Sequence, residues 1–134
     1  MAEKYLLDTH TFLWAAGSEN STAKLSRLVE ETIGETESEL YISAISLYEI
    51  LSKYRLGKLP EYKPVAENIM DALEGLEVKE LPLNWEHARL AGDLDWAHKD
   101  PFDRMLAAQT QIEEMTLITC DKAFDSAPGI NTLW

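Results

Sequence analysis

Hydrophobic and polar positions along the chain alternate between two patterns. Short apolar runs of strand length are separated by longer stretches in which apolar residues recur every three to four positions, as on one helix face. The predicted strands span residues 4–8, 38–43, 77–82, 116–120 and 130–134. The predicted helices span residues 9–16, 21–33, 44–56, 63–74, 84–92 and 101–114. This alternation predicts a three-layer α/β/α domain with a parallel sheet of about five strands; a helical bundle fits less well.

Local signals mark several of the predicted helix ends. Ser21 and Asn84 precede two predicted helices as N-caps, and Gly57 follows another as a stop. Asp100 and Pro101 stand where an N-cap and a first helical residue belong. These short polar or conformationally special residues therefore divide the chain into its elements.

Composition indicates a globular protein of one domain, residues 1–134. Hydrophobic residues make up 46% of the chain and charged residues 27%, which is ordinary for a soluble domain. No apolar run reaches the roughly 18 residues of a membrane span, and the N-terminal segment does not read as a signal peptide. The single cysteine, Cys120, cannot form an internal disulfide and suits the cytoplasm. It falls in a predicted strand, where we expect it to be buried and inert.

The chain is strongly acidic, with 24 acidic against 12 basic residues and a formal net charge of −12. Such a surface repels polyanions at long range, which argues against general coating of nucleic acid. It leaves open a nucleic-acid enzyme whose contacts are local and assisted by metal. It also suits a basic partner, or serves solubility alone.

Four lone acids lie at or near the predicted C-terminal edge of the sheet. Asp8 and Asp121 follow two strands, Asp103 lies at the start of a helix, and Glu49 lies two turns into another, one turn after Ser46. Because functional sites form at the carboxyl ends of parallel strands, these four carboxylates are expected to converge at one edge of the sheet. Taken singly, each has a structural alternative, since Asp8 and Asp121 could cap the helices that follow.

A cluster of carboxylates implies a positive partner, because unpaired like charges repel each other and are costly to bury. Oxygen ligands without matching histidines or thiols favour a hard cation, Mg²⁺ or Mn²⁺, over zinc. Thr9 and Thr119 flank two of the acids and could orient them, or could simply be strand residues. Arg104 could contact a phosphate, or form a surface ion pair with the neighbouring aspartates.

Four segments, in this order, resemble PIN-domain ribonucleases of the VapC toxin type. They are YLLDTHTFLW (5–14), ISAISLYEI (42–50), HKDPFDRMLAAQ (98–109) and LITCDKAF (117–124). The resemblance covers nearly the whole chain, and DPFDR followed by AAQ is its most distinctive part.

The resemblance implies an active site and partners. Its acidic quartet would be Asp8, Glu49, Asp103 and Asp121, which would bind one or two divalent cations, with Asp8 and Asp103 as the main ligands. Asp100 matches an accessory acid, and Thr119 a hydroxyl residue often found two places before the last acid. The family further implies a five-stranded parallel sheet, a homodimer, and a VapB-like antitoxin whose tail enters the active-site groove. A toxin–antitoxin role in turn implies a bacterium or an archaeon.

The resulting hypothesis is a Mg²⁺- or Mn²⁺-dependent endoribonuclease that acts as a toxin. A cation at Asp8 and Asp103 would activate a water, with Glu49 or Asp121 orienting it, and in-line attack would leave a 5′-phosphate and a 3′-hydroxyl. The alternative is a non-catalytic PIN-like module that binds RNA or protein. An aspartyl phosphatase fits less well, because that chemistry needs a second acid two places after the first, where this chain has His10.

Overall fold

A computed structural model describes residues 2–134, so Met1, the first residue of the predicted domain, lies outside the described residues. Its strands are β1 (Glu3–Leu7), β2 (Ser38–Ser43), β3 (Lys79–Leu81), β4 (Thr116–Ile118) and β5 (Asn131–Leu133). They form one sheet in the order β3-β2-β1-β4-β5, and every neighbouring pair is parallel. The predicted α/β fold with a five-stranded parallel sheet is therefore confirmed.

Eight α-helices connect these strands within residues 2–134. They are α1 (Thr9–Ala16), α2 (Glu19–Thr22), α3 (Arg27–Gly34), α4 (Ala44–Arg55), α5 (Lys63–Glu67), α6 (Ile69–Gly75), α7 (Trp85–Asp93) and α8 (Pro101–Ile112). Short 3₁₀ helices occupy Pro60–Tyr62 and Lys122–Ser126. Of these helices, none is long and apolar enough to cross a lipid bilayer.

The core lies on both faces of the sheet, because successive residues of a strand point to opposite sides. Leu6 and Leu117 point to one face and pack with residues of α7 and α8. Leu7 and Ile118 point to the other face and pack with residues of α1, α3 and α5. All four side chains are fully buried. The sheet is thus the middle of three layers, which is why β1 and β4 each end in consecutive buried apolar residues.

The register of the strands determines which residues meet at the C-terminal edge of the sheet. Leu7, the last residue of β1, pairs with Ile42 of β2 on one side and with Ile118 of β4 on the other. The strands on both sides of β1 therefore end at nearly the same level. Asp8 and Thr119, which follow the ends of β1 and β4, are neighbours for this reason.

The prediction of a single helix over residues 21–33 is wrong, since two helices, α2 and α3, occupy this region. Ser21 is not an N-cap but a buried residue inside α2. Ser26 caps α3 instead, because its hydroxyl accepts a hydrogen bond from the backbone N–H of Val29. Both serines precede the same apolar pattern, so periodicity alone did not separate them.

The predicted helix over residues 63–74 is divided into α5 and α6 at Asn68. The Asn68 side chain donates a 3.0 Å hydrogen bond to the carbonyl oxygen of Pro64. Asparagine side chains compete in this way with backbone hydrogen bonds and favour turns over helix interiors.

Other predicted helix ends are confirmed. Asn84 caps α7 by accepting from the N–H of His87 at 3.0 Å, and Asp100 caps α8 by accepting from the N–H of Asp103 at 3.1 Å. Gly57 follows α4 with a positive φ of 72°, a conformation that glycine adopts without strain.

Candidate active site

The structure brings the predicted acidic residues together in one pocket at the C-terminal edge of the sheet. The pocket has a volume of about 160 Å³. It is lined by Asp8, Thr9, His10, Glu49, Lys53, Asp100, Asp103, Leu106 and Asp121. Five carboxylates from four separate segments of the chain therefore share one small cavity.

Asp8 has a structural role in addition to its place in the pocket. Its Oδ1 accepts a 2.8 Å hydrogen bond from the backbone N–H of Thr11, which caps α1. Its Oδ2 accepts a 2.6 Å hydrogen bond from the hydroxyl of Thr119. The residue is 8% exposed. The two interpretations that the sequence left open, cap and pocket residue, therefore both describe this carboxylate.

Thr119 connects two of the acidic residues. While its hydroxyl donates to Asp8, the same oxygen accepts a 3.0 Å hydrogen bond from the backbone N–H of Asp121. Thr119 is itself buried, at 4% exposure. This short hydrogen-bonded path holds the segment after β4 against the end of β1.

Glu49 is held by residues of α1 and α4. The Thr9 hydroxyl donates to Oε1 of Glu49 at 2.6 Å and lies 3.1 Å from the buried hydroxyl oxygen of Ser46. The ammonium of Lys53, one turn further along α4, donates to Oε2 at 2.8 Å. Both oxygens of this carboxylate thus have a donor, and Thr9 orients Glu49 rather than the adjacent Asp8.

Asp103 lies one turn inside α8, and Asp100 lies at its cap. Oδ2 of Asp103 is 2.7 Å from Nε2 of His98. Burial raises the pKa of Asp103 above its ordinary value of 3.8, and the negative charges of Asp100 and Asp121 add to the increase, while the contact with His98 opposes it. Desolvation is thus the main cause of the shift, and the neighbouring negative charges are a smaller one.

Asp121 follows β4 and caps the 3₁₀ helix after it. Its Oδ1 accepts a 2.9 Å hydrogen bond from the N–H of Ala123. The preceding Cys120 is exposed and lies beyond the end of β4, so the expectation that it is buried in a strand is wrong. Partial desolvation and the charges of Asp8 and Asp121 raise the pKa of its thiol above the ordinary value.

The hydrogen bonds of Arg104 do not support its predicted role as a phosphate contact. Its guanidinium donates to four backbone carbonyl oxygens, those of Ala91, Leu94, Trp96 and His98, at 2.7–3.0 Å. Four of its five N–H donors are therefore engaged. The residue holds the loop between α7 and α8, and through that loop it positions His98.

The sequence predictions did not include Lys53 and His10, which line the pocket, or His98, which contacts Asp103 beside it. Lys53 follows Glu49 by four positions, which is the spacing of a helical ion pair, so the sequence could have indicated this contact. His10 lines the pocket, and its ring packs against Trp14 at 5.9 Å between centroids. His98 precedes Asp103 by five residues across a loop and a cap, and no periodicity links the two positions.

The donor set fits a hard divalent cation that retains water ligands. Within residues 2–134, no three histidine, cysteine or acidic side chains are grouped closely enough to form a complete metal centre. Mg²⁺ is commonly held by only one or two carboxylates together with waters, so it does not require three protein ligands grouped together. Among the described residues, Oδ1 of Asp103 and Oδ2 of Asp121 accept no hydrogen bond. These oxygens are available as ligands.

Comparison with known proteins identifies a family. The family model described as "PIN domain" matches residues 5–130. Comparison with curated protein sequences gives no match.

Several solved structures share the fold. VapBC2 from Rickettsia felis, bound to a DNA fragment from their promoter, matches with a TM-score of 0.71 at 17% identity, covering 98% of each chain. VapBC-1 from nontypeable Haemophilus influenzae matches with a TM-score of 0.70 at 19% identity, covering 97% of this chain and 96% of that one. FitAcB from Neisseria gonorrhoeae matches with a TM-score of 0.64 at 21% identity, covering 97% and 96%.

Proposed function

This chain belongs to the PIN-domain family, and on that premise we propose that it is a metal-dependent endoribonuclease acting as the toxin of a toxin–antitoxin pair. PIN domains are generally nucleases. The observation that carries the proposal is the convergence of Asp8, Glu49, Asp103 and Asp121 on one pocket from four separate segments. A fold gathers like charges in this way at a cost, which a bound cation would offset.

Asp8 and Asp103 would be the main ligands of Mg²⁺ or Mn²⁺, with Glu49 and Asp121 completing the site. When bound, such an ion lowers the pKa of a coordinated water and neutralises charge that develops on the scissile phosphate. The side chains of this protein orient the carboxylates and the attacking water. Thr119 orients Asp8, Thr9 orients Glu49, and Glu49 or Asp121 would orient the attacking water and receive its proton.

The products would be a 5′-phosphate and a 3′-hydroxyl, as expected for in-line attack by water. Glu49 suits the role of proton acceptor, because the hydroxyl of Thr9 holds its carboxylate in a fixed orientation beside the other acids. Arg104 would act only indirectly, by holding the loop that carries His98.

We propose further that the toxin binds a VapB-like antitoxin and forms a homodimer. It would act in the cytoplasm, with residues 1–134 as one domain. The VapBC and FitAcB structures to which the chain is similar support a toxin–antitoxin assignment. The net charge of −12 and the acidic pocket suit an arginine-rich antitoxin tail, because guanidinium groups bind carboxylates in a bidentate manner.

The test is cleavage of end-labelled RNA by the purified chain in EDTA, and after addition of Mg²⁺ or Mn²⁺. We expect no cleavage in EDTA, cleavage with either metal, and products that carry 5′-phosphates. Cleavage that persists in EDTA would overturn the metal dependence. RNA binding without cleavage in both metals would instead support the non-catalytic binding module.

A further inference from the structure

Lys53 is the only lysine or arginine among the side chains that line the acidic pocket. Its ammonium lies 2.8 Å from Oε2 of Glu49, on the next turn of α4. The Lys53 side chain is 37% exposed, whereas that of Glu49 is 15% exposed. The ammonium of Lys53 therefore lines a cavity that contains five carboxylates, and it is more exposed than its partner Glu49.

The helical ion pair with Glu49 leaves part of the hydrogen-bonding capacity of Lys53 unused. Pairs of this spacing contribute little to stability on a helix surface and are screened by salt. An ammonium has three donors, and among the described residues Glu49 is the partner of only one of them. The other two donors remain available at the pocket.

The substrate of the proposed reaction favours a positive group at this place in addition to the metal ion. An RNA phosphodiester carries a negative charge, and on its way into the pocket it meets the carboxylates as well as the overall charge of −12. The phosphodiester and the carboxylates repel each other more strongly in a partly desolvated cavity than in water. A lysine ammonium on a flexible four-carbon stem can move from one oxygen partner to another nearby.

We propose that Lys53 binds a non-bridging oxygen of the substrate phosphodiester, and that in doing so it releases Oε2 of Glu49. In the free protein, Lys53 compensates the charge of Glu49. With RNA bound, the same ammonium holds the phosphate, and Glu49 is free to act on the attacking water. This inference rests on the proposed ribonuclease function and assigns a substrate contact within it.

The experiment compares Lys53→Gln, Lys53→Arg and the control Lys58→Gln. Lys58 is exposed just beyond the end of α4 and does not line the pocket. For each protein, kcat/KM for a single-stranded RNA is measured in Mg²⁺ over a series of salt concentrations. Binding of the same RNA is measured by fluorescence anisotropy with each substitution placed in an Asp8→Asn background.

Loss of one phosphate contact to single-stranded RNA lowers the slope of log K against log salt by roughly 0.7. We expect Lys53→Gln to show this smaller slope and a decrease in kcat/KM of about tenfold or more. Lys53→Arg should retain most of both quantities, because it keeps the charge. Lys58→Gln should change neither by a comparable amount.

Two results would overturn the proposal for Lys53. One is an unchanged salt slope in Lys53→Gln while the parent chain cleaves RNA. The other is a loss of activity that higher Mg²⁺ restores fully, since this would indicate that Lys53 acts only on the carboxylates. Failure of the proposed ribonuclease function gives a different result. In that case the parent chain binds RNA with a salt slope that depends on Lys53, but it cleaves no RNA in Mg²⁺ or Mn²⁺.

Discussion

The hydroxyl of Thr119 donates a 2.6 Å hydrogen bond to Oδ2 of Asp8, although the two residues are 111 positions apart in the chain. The contact exists because β1 and β4 are adjacent parallel strands that end at the same level. It leaves the Asp8 carboxylate held from both sides, by Thr119 on Oδ2 and by the N–H of Thr11 on Oδ1. The position of this carboxylate is therefore set before any ligand arrives.

Thr119→Val should decrease activity or metal affinity roughly 10- to 100-fold, the usual effect of removing a group that orients a metal ligand. Valine keeps the shape of threonine but leaves Oδ2 of Asp8 without its donor. The measurement is the Mg²⁺ concentration that gives half-maximal RNA cleavage. Thr132→Val, at an exposed position of β5, is the matched control and should behave like the parent chain. Equal Mg²⁺ requirements for the two variants would contradict the role of Thr119.

Asp8→Asn and Asp103→Asn should each abolish RNA cleavage while the fold persists. Each change removes one negative charge from a crowded pocket, so the thermal midpoint should be unchanged or higher by up to a few degrees. The measurements are cleavage in Mg²⁺ and thermal unfolding. Asp71→Asn, an exposed position on α6 outside the pocket, should keep full activity. Normal cleavage by both pocket variants would refute the site assignment.

The raised pKa of Asp103 predicts a pH-dependent contribution to stability. Because the folded chain holds this proton more tightly than the unfolded chain, the contribution is present below the ordinary pKa and is lost as pH rises through the raised value. Asp103→Asn removes it. The free energy of unfolding of Asp103→Asn, minus that of the parent chain, should therefore increase as pH rises from about 3 to about 7. A difference that decreases with pH would show the opposite shift.

Arg104→Lys should destabilise the fold by about 2–4 kcal/mol, although it keeps the charge. A lysine ammonium cannot match the planar guanidinium that donates to four carbonyl oxygens at once. Denaturant unfolding measures the loss, and Arg89→Lys, at an exposed position of α7, is the control. If Arg104→Lys instead kept full stability but lost RNA binding, Arg104 would be a phosphate contact after all.

The sequence by itself determined the features that depend on neighbouring residues. Asp100 followed by Pro101 predicted the start of α8, and Asn84 predicted the start of α7, because a cap is a contact within one turn. Short apolar runs alternating with helical patterns predicted a parallel sheet between two layers of helices. Acids at the ends of two such runs, Asp8 and Asp121, indicated the edge at which a site would form.

Only the tertiary structure decided which distant groups meet and which oxygen each donor serves. Thr9 orients Glu49 across 40 residues, and His98 contacts Asp103. Arg104 holds a loop, and Cys120 is exposed because β4 ends two residues before it. These contacts depend on strand order, register and helix placement, which result from packing the whole core. No pattern within a few residues carries that information.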